Sequence, residues 1–189
     1  MRLGLFFLIF VTCASSPAQE TCVGLVDKGS DFSREFLRQQ AATRSSRCIS
    51  SVIKHLGNAC DTQAVDILAQ YLDYVDPATL PGPDGGADVR PSYPAVSALF
   101  QIGESATGRL LATIQTSESQ KIRENAAKAY MYIYRDDLAK GIRLLRKEQL
   151  RSKDSSSRRK LSDALRMLAN ACEGRTRQEA QACRNARTG

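Results

Sequence analysis

The segment AVSALFQIGESATGRLLATI, Ala95 to Ile114, returns 31 residues later as AAKAYMYIYRDDLAKGIRLL, Ala126 to Leu145. Ala95, Ala98, Leu99, Phe100 and Ile102 fall on Ala126, Ala129, Tyr130, Met131 and Ile133, and Leu111 and Ile114 fall on Ile142 and Leu145. A less regular copy is LSDALRML (Leu161–Leu168), and an earlier one is ISSVIKHLG followed by AVDILAQYL, with Leu56-Gly57 in the place of Ile102-Gly103. Apolar residues within each copy recur at helical spacing, in two runs joined by a short turn. A two-helix hairpin of this length cannot bury its apolar stripe alone and must stack on a neighbour carrying the same stripe. Small alanines at the repeated positions let the first helices approach, and the larger Leu, Ile, Phe and Met fill the space between layers. The duplicated text is a packing pattern, and it contains no acid–base pair, metal-ligand set or phosphate loop.

The flanking text extends the same organisation. DFSREFLRQQAAT (Asp31–Thr43) follows Ser30, a residue suited to capping, and keeps helical spacing. RCISSVIKHLG predicts a helix stopped at Gly57-Asn58, and Asp61 suits the N-cap of the next, whose Ala64, Ile67, Leu68, Tyr71 and Leu72 share one face. From Asp76 to Pro91 the chain reads DPATLPGPDGGADVRP, a loop, because proline lacks a helix donor and glycine resists ordering. Ser92 and Pro94 then mark a helix start and Gly103 a helix end. SSSRRKLSDALRMLANAC, halted at Gly174, and a weaker tail to Arg187 complete the chain. With 189 residues the whole has room for one domain with a core. We expect an all-α fold: a helical segment over 19–44, then about four stacked antiparallel hairpins over 45–189, interrupted by the loop at 76–91.

The first residues read as a targeting signal. Met1-Arg2 precedes the uncharged apolar run Leu3–Ala14, and Ser16 and Ala18 supply the small residues that a signal peptidase needs. The expectation is a signal peptide over 1–18 and a secreted or periplasmic protein. A membrane anchor is disfavoured, because about a dozen apolar residues fall short of the roughly 20 that a span requires. Lipid attachment at Cys13 is disfavoured because Phe10-Val11-Thr12 lacks the Leu-containing, small-residue box that usually precedes such a cysteine.

Export makes the remaining cysteines disulfide candidates rather than metal ligands. They are Cys22, Cys48, Cys60, Cys172 and Cys183. Five is odd, so at least one is free or paired between chains. Cys172 and Cys183 are close in sequence and remote from the rest, so they pair. Cys22 has a choice of Cys48 or Cys60. A Cys48–Cys60 bridge is awkward, because with Cys48 opening one helix and Cys60 the next the two would sit at opposite ends of a hairpin, beyond the roughly 4.4–6.8 Å between Cα atoms that a disulfide tolerates. Zinc is disfavoured by the lack of a CxxC pair and the single histidine, His55.

The segment YPAVSALFQIGESATGRLLATI resembles a HEAT-type α-solenoid repeat, and more narrowly the short variety first named for phycobilisome bilin lyases. The form is a helix of A-x-x-A-L-x-x-I-G type, a tight turn and an apolar second helix. The resemblance is good across Tyr93–Arg146 and fainter across Cys48–Leu72 and Ser157–Cys172, and Tyr130-Met131-Tyr132 is bulkier than the form. It implies a solenoid fold and a scaffolding, protein-binding role, and it brings no catalytic residue with it.

Residues with chemical potential have simpler roles. Ser51 and His55 share a helix, but a nucleophile–base pair would need a carboxylate and an oxyanion site, and none is readable. Glu104, Asp136 and Asp137 sit at inter-helix turns, where carboxylates cap helices. GPDGG (Gly82–Gly86) lacks the Lys-Ser/Thr of a phosphate loop. The sequence predicts no catalysis and no cofactor, with a lyase as the remote alternative.

One feature invites a partner. RLLRKEQLRSKDSSSRRK (Arg143–Lys160) sets eight basic residues against Glu148 and Asp154. On the helix Arg143, Arg146, Lys147 and Arg151 lie opposite Leu138, Ile142 and Leu145, so the basic stripe faces water. Arg158, Arg159 and Lys160 follow, with Arg175, Arg177, Arg184 and Arg187 beyond them, in a chain of formal net charge +7. A solvated face that aids solubility is the plain reading of such a run. The partner reading is a protein bound through the helical surface. The alternative is electrostatic binding of anionic envelope material, lipid headgroups or polysaccharide. Nucleic acid is disfavoured by export and by the absence of aromatics in the stretch on which bases would stack.

Overall fold

The computed structural model describes residues 22–79, 89–173 and 176–188. The expected signal at 1–18 lies outside these residues, as does most of the Pro/Gly-rich loop. Among the described residues all regular structure is helical and no strand is present.

Two short helices, α1 (Cys22–Val26) and α2 (Ser30–Gln40), precede the repeats. Ser30 is the first residue of α2 rather than its cap; Gly29 holds the cap position. This N-terminal segment is fastened in three ways. Cys22 and Cys48 form a disulfide with Cα atoms 5.1 Å apart. The guanidinium of Arg34, a buried residue, donates to Asp31 and Asp61. The hydroxyl of Tyr71 donates to the carbonyl of Leu37 at 2.5 Å, with both residues buried.

The helices α3 (Ile49–Asn58), α5 (Pro94–Ile102), α7 (Gln120–Ile133) and α9 (Ser155–Glu173) pack successively, α3 on α5, α5 on α7 and α7 on α9. Between them run α4 (Val65–Ala69), α6 (Thr107–Thr116), α8 (Leu138–Arg151) and, last, α10 (Arg177–Thr188). Helix α4 packs on α5 and α6, and α6 packs on α7. Helix α9 packs on both α6 and α8, and α10 packs on α8 and α9.

The duplicated text maps onto this packing. Ala95, Ala98 and Leu99 of α5 are buried, and so are Ala126, Ala129 and Tyr130 of α7. Ile114 of α6 and its counterpart Leu145 of α8 are buried as well. The copies differ at two pairs: Ile142 is buried but its counterpart Leu111 is only partly covered, with Leu110 in the inner position, and Ile102 is buried but its counterpart Ile133 is only partly covered. Each fully buried Leu or Ile stabilises by about 1.5–3 kcal/mol, so these positions hold the layers together.

Helix ends follow local chemistry with one surprise. Pro94 occupies the first turn of α5, and Gly103, at φ 77°, ends it. Gly57 matches Gly103 in sequence and does something else. It is a buried residue inside α3, where an added Cβ would lie 2.6 Å from the Cα of Ala98 in α5. The helix instead ends at Cys60, φ 50°, whose N–H donates to Gly57 O while that of Asp61 donates to Leu56 O. That pair of bonds is the Schellman arrangement, here with cysteine in the left-handed position. Asp61 then accepts from the N–H of Gln63 and opens a 3-10 turn (Thr62–Ala64) leading into α4, a much shorter helix than the spacing implied.

The feet of the Pro/Gly-rich loop are clipped together. Asp76 N–H donates to Ser92 O at 2.9 Å, and the hydroxyl of Thr79 donates to Pro91 O at 2.7 Å. The buried carboxylate of Asp76 accepts from Lys54, from the Ser50 hydroxyl and from Ala78 N–H.

Candidate functional site

Helix α8 is set by its two ends and two faces. Asp137 caps it by accepting the N–H of Lys140 at 2.9 Å, as the sequence predicts for this turn. Leu138, Ile142 and Leu145 enter the core, while Arg143, Lys147 and Arg151 are exposed on the other side. At its start the hydroxyl of buried Tyr130 donates to Gly141 O at 2.8 Å; burial holds that phenol well above its usual pKa, so it remains a donor. At its end Asp154 accepts from the N–H groups of Ser156 and Ser157 at the start of α9, and those bonds hold its carboxyl below the usual range.

The seven basic residues singled out in the sequence do not form one surface. Arg143, Arg146, Lys147 and Arg151 line a groove of about 450 Å³ with Leu150 and with Ala186 of α10. Arg146 is half-buried there and donates to the side-chain oxygen of Gln149 at 3.0 Å. Arg159 and Lys160 border a separate groove of about 630 Å³, whose floor includes Ile114 and Ala127. Lys160 is largely covered and pairs with Glu118 at 2.8 Å, a bond that lowers the Glu118 carboxyl. Arg166 on this side pairs with Asp163 at 2.9 Å. Arg158 is exposed on α9 and borders neither groove. The side chains of Arg175, Arg177 and Arg187 lie outside the described residues.

The α8 groove differs from the other in its charge balance. Among the described residues Arg143, Lys147 and Arg151 meet no carboxylate. The two acids nearest in sequence are engaged elsewhere: Glu148 accepts from Gln115 of α6 at 3.0 Å, and Asp154 caps α9. Within the groove Leu150 is 69% exposed, a large apolar side chain left in water. Sequence reasoning missed Leu150, although the signal was present: 143, 147, 150 and 151 are spaced i, i+4, i+7 and i+8, one face of one helix.

The other candidates resolve individually. Ser51 is exposed and makes no bond to His55, whose Nε2 is closed off from water with no partner. Glu104 does not cap a helix; it pairs with Lys140, and that bond raises the Lys140 amine. Asp136 is exposed beside Arg135 at 3.7 Å. Gly82–Gly86 falls outside the described residues. No group of three or more His, Cys, Asp or Glu side chains among the described residues is placed to hold a metal ion. Nor is any helix there long and apolar enough to cross a membrane.

The cysteine choice left open by the sequence is decided. Cys22 bonds Cys48, Cys172 bonds Cys183, and Cys60 is free and exposed, its Sγ 3.7 Å from the carbonyl oxygen of Gln101. The second disulfide joins the C-terminal end of α9 to α10, which carries the Ala186 wall of the groove.

Compared with protein-family models, with curated proteins and with solved structures, the chain matches none of them.

Proposed function

We propose that this chain is an exported, non-catalytic adaptor, a HEAT-like α-solenoid that binds a protein partner through the outer face of its C-terminal hairpins. Four helix pairs, α3/α4, α5/α6, α7/α8 and α9/α10, are its repeats, and α1 and α2 cover the first of them. The two disulfides suit an oxidising compartment. The observation that carries the binding assignment is the outward face of α8, where three cations that meet no carboxylate among the described residues share one face with the exposed Leu150. Cations left without a partner of opposite sign, with one apolar side chain beside them, suit a partner that brings negative charge to this face.

A photo-crosslinking residue placed at Leu150, in the cells that make the protein, tests this reading. A discrete adduct of higher mass that protease removes, absent when the same residue replaces exposed Gln70, is the expected result. Adducts only with lipid or polysaccharide would turn the assignment to the electrostatic reading, and no adduct at all would end both.

A further inference from the structure

Resting on that adaptor reading, we propose that the groove between α8 and α10 takes a short acidic amphipathic helix of the partner protein. Its carboxylates meet Arg143, Lys147 and Arg151, and one of its apolar side chains seats on Leu150 and Ala186. Charge complementarity selects the sign of the occupant: among the described residues the groove's exposed cations meet no carboxylate, and Glu148 and Asp154 are engaged elsewhere. The exposed leucine selects its character. An anionic polysaccharide would use the charges and leave Leu150 in water, whereas the aliphatic stems of the basic side chains extend the apolar floor around it.

Shape and length narrow the occupant further. A bilayer surface is broad and does not enter a groove of about 450 Å³ between two helices. Arg143 to Arg151 spans about 12 Å of helix, the length of roughly two turns of a docked helix. A second copy of this chain is a poor occupant, because the full sequence carries a formal net charge of +7, of which the expected signal removes only Arg2. The disulfide between Cys172 and Cys183 is part of the site in this view, because it ties α10, the second wall, to α9.

The test is a selection on the immobilised full-length mature protein from a displayed library of random peptides about fifteen residues long, enough for some four helical turns. The expected winners carry net negative charge with apolar residues at i, i+3 or i+4 spacing. Their affinity should fall about tenfold or more for R143E/K147E/R151E and clearly for Leu150→Ala, while Arg158→Glu, outside the groove, leaves it nearly unchanged. All the groove positions altered are exposed, and a circular dichroism melt verifies that each variant folds. Winners without net negative charge, winners kept by the triple reversal, or no enrichment over background would overturn the proposal. So would phosphatidylglycerol vesicles that bind through the same residues when peptides do not. In any of these outcomes a surviving protein adduct at Leu150 in the photo-crosslinking experiment leaves the adaptor reading standing, so the two fail separately.

Discussion

Gly57 of α3 and Ala98 of α5 face each other so closely that a methyl group on the glycine would lie 2.6 Å from the alanine Cα. No real Cβ sits that near backbone, so the first two helical layers touch at this point without intervening side chains. Gln101, whose side-chain oxygen would lie 2.4 Å away, has room to swing, but the backbone of Ala98 does not. Alanine normally favours a helix over glycine by about 1 kcal/mol. Here the overpacking cost of about 1–3 kcal/mol outweighs it. Gly57→Ala should therefore destabilise, by up to about 2 kcal/mol in urea unfolding, whereas a glycine that merely ended the helix would tolerate the change.

Asp76 predicts a pH dependence. Its burial alone would raise the carboxyl pKa, but hydrogen bonds from Lys54, Ser50 and Ala78 N–H, with the charge of Lys54, outweigh burial and the net shift is downward. A carboxyl depressed in the folded state contributes stability above its unfolded pKa, about 3.9, and loses it as pH falls through the folded value. Asp76→Asn should cost about 2–3 kcal/mol near neutrality, because it leaves Lys54 and Ser50 with a neutral acceptor. The gap between wild type and variant should narrow below about pH 3.9 in urea titrations. A gap constant from pH 7 to pH 2 would mean that the ionised carboxylate contributes nothing.

How far the sequence disclosed this molecule depends on whether the deciding contact was local. The alanine ladder of α5 and α7 was readable, because a residue's place on a helix face follows from spacing alone. The caps at Asp61 and Asp137 were readable for the same reason. Gly57 was not: Leu56-Gly57 and Ile102-Gly103 look alike, and only the approach of α5 distinguishes a packing gap from a stop. Helix α4 was overcalled, since Tyr71 sits on the same apolar face but leaves the helix to reach Leu37 O in α2. In the groove the basic residues of the α8 wall were legible and so was the Cys172–Cys183 bond, but Leu150 and the α10 wall were not, because the tail has few large apolar residues to mark a packed face.

Cys60 offers a substitution that should stabilise. It holds the left-handed position at the end of α3, which costs a residue with a Cβ about 1–2 kcal/mol and a glycine nothing sterically. Glycine's larger unfolded-state entropy returns about 0.5–1 kcal/mol of that gain. Cys60→Gly should therefore raise stability by up to about 1.5 kcal/mol. In a chain lacking residues 1–18, and with them Cys13, the same variant should lose all reaction with a thiol reagent under native conditions, since the other four cysteines are bonded. A loss of stability would mean that the Cys60 side chain does more than its weak contact with Gln101 suggests.

The disulfide between Cys22 and Cys48 closes 26 residues of sequence, and constraining a loop of that length in the unfolded chain is worth about 3–4 kcal/mol. Replacing both cysteines with serine should lower stability by an amount of that order and leave the helix content of α3 to α10 intact. An unchanged urea midpoint would mean that α1 is not fastened to α3 in solution.

Leu145 and Leu150 are two leucines on one helix, five residues apart, and they give the most direct check on how α8 is turned. Leu145 is fully buried, whereas Leu150 is 69% exposed. Leu145→Asp places an unpaired charge between layers and should destabilise by several kcal/mol, enough to lower the melting temperature by about 10 °C or more in a chain of this size. Leu150→Asp changes the same atoms where water already reaches them, so its effect should stay within about 0.5 kcal/mol. Helix propensity differs between aspartate and leucine by less than about 1 kcal/mol per residue, so it cannot produce a gap of several kcal/mol between the two variants. A Leu150→Asp protein that melts as early as the Leu145→Asp protein would mean that α8 is rotated from the orientation described, and the basic groove would fall with it.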